Sequence, residues 1–140
     1  MYLLDTNVVS ELRKVRTGRA NISVVEWAAS IQPETLYLSV ISIFELETGI
    51  LLMERRDPKQ GILLRRWLED QVLPAFEGRI LSIDMAVARK CAQLHVPDKR
   101  SERDAMIAAS ALVYRMKVVT RNVSDFDQGS VELINPWVTR

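Results

Sequence analysis

Four carboxylates stand where apolar runs give way to helix starts or turns. Asp5 closes the run Tyr2–Leu4, Glu45 follows LYLSVIS, Asp104 opens the Ala-rich stretch DAMIAASAL, and Asp125 follows KVVTRN. Each has a plain structural account by itself. Asp5, Thr6 or Asn7 can cap a helix. Glu45 and Asp104 can favour helix N-termini by a few tenths to about 1 kcal/mol, and Asp125 can organise the turn NVSDF through its own backbone. Gathered at one edge they would repel, at about 4 kcal/mol for a unit-charge pair ~4 Å apart with an effective dielectric near 20. Capping does not offset several such pairs, so a cation is the economical explanation. Oxygen ligands without His or Cys select a hard ion, Mg2+ with Mn2+ as a substitute. Because Mg2+ retains waters, Asp5 and Asp104 are expected as direct ligands, with Glu45 and Asp125 holding metal-bound water or a second ion. Such an ion polarises a phosphoryl oxygen and activates water, which suits phosphodiester hydrolysis.

The remaining chemistry is sparse. His95 is the only histidine and Cys91 the only cysteine in 140 residues, which excludes a histidine-rich metal site and an internal disulfide. No GxSxG turn supports a Ser-His-Asp arrangement. Val87, Ala88, Cys91, Leu94 and His95 share one helical face, so Cys91 reads as a core residue. His95 falls at that helix's C-terminal end, just before Pro97. The hydrophobic share of 48% and charged share of 26% are those of a globular chain large enough to bury a core. No apolar stretch approaches the roughly 20 residues of a membrane span. With no basic-then-apolar opening and a single cysteine, a cytoplasmic protein is expected.

Bringing the carboxylates together requires alternating strands and helices. Tyr2–Leu4 reads as a buried strand, followed at once by a helix carrying Val8, Leu12 and Val15. Val24, Trp27, Ala28 and Ile31 mark a second helix ending near Pro33. TLYLSVIS is β-rich and runs into IFELETGILLMERR, a helix with Ile43, Leu46, Ile50 and Met53 on one face and Glu45 in its first turn. Pro58 separates it from KQGILLRRWLEDQVLPAFEG, helical to near Gly78. RILSID reads as a strand, residues 85–96 as a helix, and SERDAMIAASALVYRM as a helix with Ser101 at its N-cap. KVVTRN and VELI supply the last two strands. This alternation predicts a parallel sheet covered on both faces, an α/β sandwich of one domain over residues 1–140. Ligands of such sheets sit beyond the carboxyl ends of the strands, where all four acidic residues fall.

LLDTNVVSEL, LSVISIFELETGI, RDAMIAASAL and VVTRNVSDF resemble, in order and spacing, the successive motifs of the PIN-domain family, specifically its VapC/FitB-like toxins. GRILSID and the C-terminal NPW extend the likeness over essentially the whole chain. The resemblance implies a PIN-like three-layer sandwich with a central parallel sheet. It also implies a Mg2+-dependent endoribonuclease, the toxin of a type II toxin–antitoxin pair, held inactive by a small cognate antitoxin. Residue by residue it implies Asp5, Glu45 and Asp104 as the acidic core, with Asn7, Ser42 and Thr120 in support. Many relatives carry Asp where this chain has Asn122. Asp125 is expected to supply the fourth carboxylate instead, as in relatives with an N..DF pattern, with Asn122 supporting; the sequence leaves that choice open. A homodimer is implied as well, and a complex with the antitoxin on DNA.

RNA would have to be held by a chain of formal net charge +1. Setting the four carboxylates aside leaves 19 basic against 14 acidic side chains. Arg13, Lys14, Arg16 and Arg19 form one basic group, and Lys99, Arg100 and Arg103 another beside Asp104; either can position phosphates. Arg55, Arg56, Arg65 and Arg66 read as solvated helix residues. A DNase with the same carboxylates is the nearest rival reading. A catalytically weak PIN-fold binding module is a second, favoured by Asn122. A receiver-like domain lacks a convincing phosphoacceptor Asp and later Lys. The inhibitory partner is expected to insert a basic side chain among Asp5, Glu45 and Asp104, in competition with Mg2+. An amphipathic helix laid in an apolar groove would add affinity.

Overall fold

The computed structural model describes residues 1–126 and 131–138; residues 127–130 and 139–140 of the expected single domain lie outside that description. Among the described residues, five parallel strands form one sheet in the order β3-β2-β1-β4-β5. They are β1 (Tyr2–Leu4), β2 (Leu36–Ser39), β3 (Ile80–Leu81), β4 (Lys117–Val119) and β5 (Leu133–Ile134). The helices are α1 (Thr6–Leu12), α2 (Ile22–Ala29), α3 (Val40–Arg56), α4 (Pro58–Trp67), α5 (Leu73–Ala75), α6 (Met85–Leu94) and α7 (Glu102–Tyr114). From β1 the chain builds outward through β2 and β3, then crosses to β4 and β5 on the other side. The strand order therefore reverses between β1 and β4, where a parallel sheet opens a crevice beyond its carboxyl edge.

The period of two along each strand divides the core into two layers. Leu4 and Val119 pack on one face with Val8, Val9, Leu46, Ile50 and Leu68. Leu3 and Val118 pack on the other with Ile107, Ala108, Ala111 and Phe126. Small residues let α6 approach α7 closely, with Val87 and Cys91 against Ala105 and Ala109. The expected three-layer α/β sandwich is the architecture observed.

Several boundaries differ from the sequence reading. In TLYLSVIS only Leu36–Ser39 is strand; the Ser39 hydroxyl accepts from the Ile41 N–H at 3.0 Å and caps α3, so Val40, Ile41 and Ser42 are helical despite two β-branched side chains. Ser42 is thereby buried in the first turn, and Glu45 falls in the second turn rather than the first. Asp57 caps α4, with Pro58 at its first position. The helix expected to near Gly78 passes through a π turn, Leu68–Val72, before α5. Pro74 has no N–H to continue the α-helical ladder, which accounts for the irregular pairing just upstream. Val15 lies beyond α1 in a 3-10 turn, Arg13–Thr17, and is exposed. Cys91 is buried and His95 is the C-cap of α6, as the sequence predicts. Ser101 precedes α7 but caps no backbone N–H; its hydroxyl bonds Asp104 instead.

Candidate active site

Asp5 is both a helix cap and the centre of a buried polar network. Its Oδ1 accepts from the Thr6 N–H at 2.8 Å, the capping bond of α1. Its Oδ2 accepts from the Thr120 hydroxyl at 2.8 Å and from Asn7 Nδ2 at 3.3 Å. Thr120 follows β4, and its hydroxyl oxygen also accepts the Asn122 N–H at 3.0 Å. Asn7 Oδ1 accepts the Arg121 N–H at 3.3 Å, so α1 is tied twice to the end of β4. Burial pushes the Asp5 carboxyl above its ordinary range, against the lowering by the Thr120 and Thr6 bonds; Glu45 and Asp125 push it further up.

Glu45 reaches the same edge from α3. Thr6 Oγ1 lies 2.7 Å from Glu45 Oε1 and 2.9 Å from Ser42 Oγ. A hydroxyl has one proton, and the carboxylate is the stronger acceptor, so Thr6 donates to Glu45 and accepts from Ser42. Arg103 Nη1 pairs with Glu45 Oε2 at 3.4 Å while its guanidinium lies over the Phe44 ring, 5.3 Å from the centroid.

Asp104 occupies the first turn of α7. Its carboxyl is pushed up to about 6, first by burial and then by the negative charge of Asp5, Asp125 and Glu45; the Ser101 hydroxyl opposes the shift. Asp125 ends a 3-10 turn, Val123–Asp125, whose N-cap is Asn122. All four carboxylates, with Asn7 and Asn122, line one cleft of ≈ 500 Å³ beyond the carboxyl ends of β1 and β4. Ser42 and Thr120 lie buried beneath it.

Of the other residues at this cleft, the sequence singles out only Lys14 for a functional role, within a basic group able to position phosphates. Thr6 was legible only as a cap. Glu11, Lys14, Arg121 and Trp137 also line the cleft. Asn7, Glu11 and Lys14 fall at i, i+4 and i+7, so helical spacing alone could have grouped them. Glu11 accepts the Asn21 N–H at 2.8 Å and pairs with Lys14 at 3.2 Å, and the Asn21 bond holds its carboxyl below the usual range. Arg121 lies over the Trp137 ring at 5.4 Å, a pairing that no local sequence pattern announces.

Among the described residues, no group of three or more Asp, Glu, His or Cys side chains is placed close enough together to hold a metal ion jointly. The carboxylate oxygens lining the cleft suit a hard ion that keeps most of its waters and takes one or two carboxylates directly, as Mg2+ does. Such an ion would relieve the repulsion that Asp5, Asp125 and Glu45 add to burial in raising the Asp104 carboxyl, and the carboxylate donors are oxygen.

The PIN domain family model matches residues 2–129. The chain is 39% identical over 142 residues to a protein named VapC ribonuclease Y4jK from Sinorhizobium fredii, covering 98% of both chains. It is 38% identical over 142 residues to Toxin FitB from Neisseria gonorrhoeae, covering 98% of this chain and 99% of that one. The solved structure of FitAcB from Neisseria gonorrhoeae superimposes with a TM-score of 0.88 at 37% identity, covering 98% of this chain and 99% of that one. FitAB bound to an IR36 DNA fragment superimposes with a TM-score of 0.89 at 35% identity, covering 100% and 98%.

Proposed function

The chain belongs to the PIN domain family, and from that premise we propose that it is a divalent-metal-dependent endoribonuclease, the toxin of a type II toxin–antitoxin pair. The observation that carries the proposal is the crowding of Asp5, Glu45, Asp104 and Asp125 around one cleft at the point where strand order reverses. Asp5 and Asp104 would hold Mg2+ or Mn2+ directly, and Glu45 and Asp125 would act through water. When bound, the ion supplies Lewis-acid polarisation of a phosphoryl oxygen and a nucleophile at neutral pH.

The chain's own residues hold the acidic groups in place. Thr6 N–H and Thr120 Oγ1 fix the two oxygens of Asp5, which lines the cleft. Thr6 Oγ1, backed by Ser42, fixes Glu45. Asn7 and Asn122 brace the loop after β4 that carries Asp125. The direct test is incubation of purified protein with RNA in Mg2+, in chelator, and as Asp5→Asn. Cleavage in the first condition alone supports the reading. Undiminished cleavage in chelator removes the metal from it. DNA in parallel decides between RNase and DNase, and intact protein that binds but cuts neither supports the binding-module alternative.

For control, the solved relatives FitAcB and FitAB suggest a small antitoxin partner. A basic side chain inserted among Asp5, Glu45 and Asp104 would satisfy the charges that Mg2+ satisfies, so the two should compete. Arg103 already places one guanidinium on Glu45, and an incoming cation would share or displace it. An apolar hollow of ≈ 140 Å³ lined by Val9, Leu12, Trp67 and Phe76 would take one apolar side chain of a partner helix. Added Mg2+ and Glu45→Gln should each weaken inhibition; indifference to both places the block elsewhere. Exposed Leu51, Leu52, Ile62 and Leu63 on α3 and α4 support a homodimer, which sedimentation at micromolar concentration tests. One relative is bound to DNA, and a toxin–antitoxin complex on DNA is proposed here by the same reasoning.

A further inference from the structure

Beside the acidic cleft lies a second, smaller hollow of ≈ 240 Å³, lined by Lys99, Arg100, Ser101 and Ser124. It shares two walls with the first: Asp104 and Asp125 border both. A chain threaded through one therefore meets the other. We propose that this hollow is a phosphate-binding subsite that seats the phosphodiester next to the one cut, with Lys99 and Arg100 as positioning residues. The inference rests on the nuclease reading for the identity of its ligand, a single-stranded RNA backbone.

Three observations favour a phosphate over a base or a protein side chain. Besides the shared carboxylates, the lining supplies cations and hydroxyls, which are phosphate donors, and among the described residues it contains no aromatic ring on which a base could stack. The aromatic contribution to the acidic cleft comes from elsewhere, from Trp137 beneath Arg121. The three basic residues before Asp104 also divide by what they already touch. Arg103 is engaged by Glu45 and Phe44, whereas Lys99 forms no ion pair among the described residues. Its ammonium stays available to a ligand.

The loop that carries both residues is held to α6. The Arg100 N–H donates to His95 Nδ1 at 3.0 Å, and His95 is the C-cap of α6 with its Nε2 3.9 Å from Cys91 Sγ. This gives the molecule's one histidine a structural task, orienting the segment before α7. The carboxylates on the shared walls would repel a phosphate while they lack a counter-ion, so cation binding in the acidic cleft and RNA binding here should reinforce each other.

The test separates backbone holding from chemistry. Affinity for a short single-stranded RNA is measured in Mg2+ for Asp5→Asn, alone and combined with Lys99→Gln or Lys99→Arg. Cleavage is measured in the otherwise wild-type chain on that RNA and on a dinucleoside monophosphate, which has no neighbouring phosphate. Lys99→Gln should weaken RNA affinity about 3- to 10-fold irrespective of base sequence and flatten its salt dependence by about one contact, with Lys99→Arg restoring most of both. KM on the RNA should rise in parallel, with kcat and dinucleotide cleavage unchanged. Equal RNA affinity and salt slope with and without Lys99 overturns the subsite, as does an equal loss on the dinucleotide. The affinity arm reads the subsite even if wild type cuts no RNA, so failure of the nuclease reading and failure of the subsite are separate results.

Discussion

Thr6 Oγ1 lies 2.7 Å from Glu45 Oε1, so the residue that follows the buried Asp5 also holds the carboxylate of another helix. Thr6→Val keeps the shape and removes the donor, leaving the buried Ser42 hydroxyl and Glu45 without this partner. The expected cost is about 1–3 kcal/mol of stability and roughly 10- to 100-fold in cleavage rate, as for groups that orient a metal's ligands. Thr6→Ser should retain most of both. Urea unfolding and RNA cleavage by the two variants check this, and a fully active Thr6→Val protein contradicts it.

Asp5→Asn separates the two tasks of Asp5. Asn accepts a capping bond as Asp does, and burial already disfavours the charge at this position in the metal-free protein. The fold and melting temperature should therefore be kept or slightly raised, while cleavage falls at least about 10- to 100-fold. Circular dichroism melting beside an RNA cleavage assay reads both, and wild-type activity would reduce Asp5 to a cap.

The sheet, its parallel sense and the edge where the acidic residues fall were legible because period-two and helical patterns alternate cleanly along the chain. Ser39 shows where that legibility ends. Val40 and Ile41 favour strand by side-chain type, but a capping bond to the Ile41 N–H starts a helix there, and a tertiary position for Glu45 follows. The π turn near Pro74 was hidden for a similar reason, since a proline's effect on the preceding turn depends on local pairing. The site's carboxylates could be named because Asp5 and Asp125 follow strands and Glu45 and Asp104 lie near helix starts. The functional parts of Thr6 and Trp137, and the pairing of Arg103 with Glu45, could not be, because they depend on contacts between elements far apart in sequence.

Gly61 and Gly49 should respond oppositely to alanine. A Cβ at Gly61 would meet Glu54 Cα at 2.6 Å, where α4 crosses α3, and backbone cannot yield as a flexible side chain can. Gly61→Ala should cost about 1–3 kcal/mol. Gly49 lies within α3 with nothing within 4 Å of the added carbon, so Gly49→Ala should stabilise by about 0.5–1 kcal/mol. Denaturant midpoints measure both, and similar shifts in the two variants would contradict the packing argument.

Asp104 makes the metal-free protein's stability depend on pH in a defined direction. Its folded carboxyl is raised from 3.8 to about 6, so the folded state binds this proton more tightly than the unfolded chain. The stabilisation is fully present below 3.8 and is lost as pH rises through about 6. A fully buried group would contribute about 3 kcal/mol in this way; Asp104 is partly exposed, and screening reduces the expectation to about 1 kcal/mol. In chelator, the stability of Asp104→Asn relative to wild type should rise between pH 4 and pH 7, and Mg2+ should narrow that gap by stabilising the wild type. A difference that stays flat across this range contradicts the assignment.

We propose Asp125 rather than the Asn122 position as the fourth carboxylate, and the two substitutions test that directly. Asp125 lies close enough to raise the carboxyls of both Asp5 and Asp104, whereas the Asn122 backbone N–H donates to Thr120 and starts the turn that presents Asp125. Asp125→Asn should lower apparent Mg2+ affinity and cleavage by about 10- to 100-fold, because it removes charge from the water shell of the ion. It should also relax the repulsion at Asp104, lowering the pH at which that carboxyl titrates in the metal-free protein. Asn122→Ala keeps the backbone N–H bonded to Thr120, so its cleavage rate should stay within about threefold of wild type. Asn122→Asp adds a negative charge at the cleft wall and should strengthen metal binding in either background. Restored cleavage in the Asn122→Asp, Asp125→Asn double variant would show the two positions to be interchangeable suppliers of one charge. Loss of activity in Asn122→Ala with Asp125→Asn unaffected would move the fourth position to residue 122 and leave Asp125 as the residue that ends its turn.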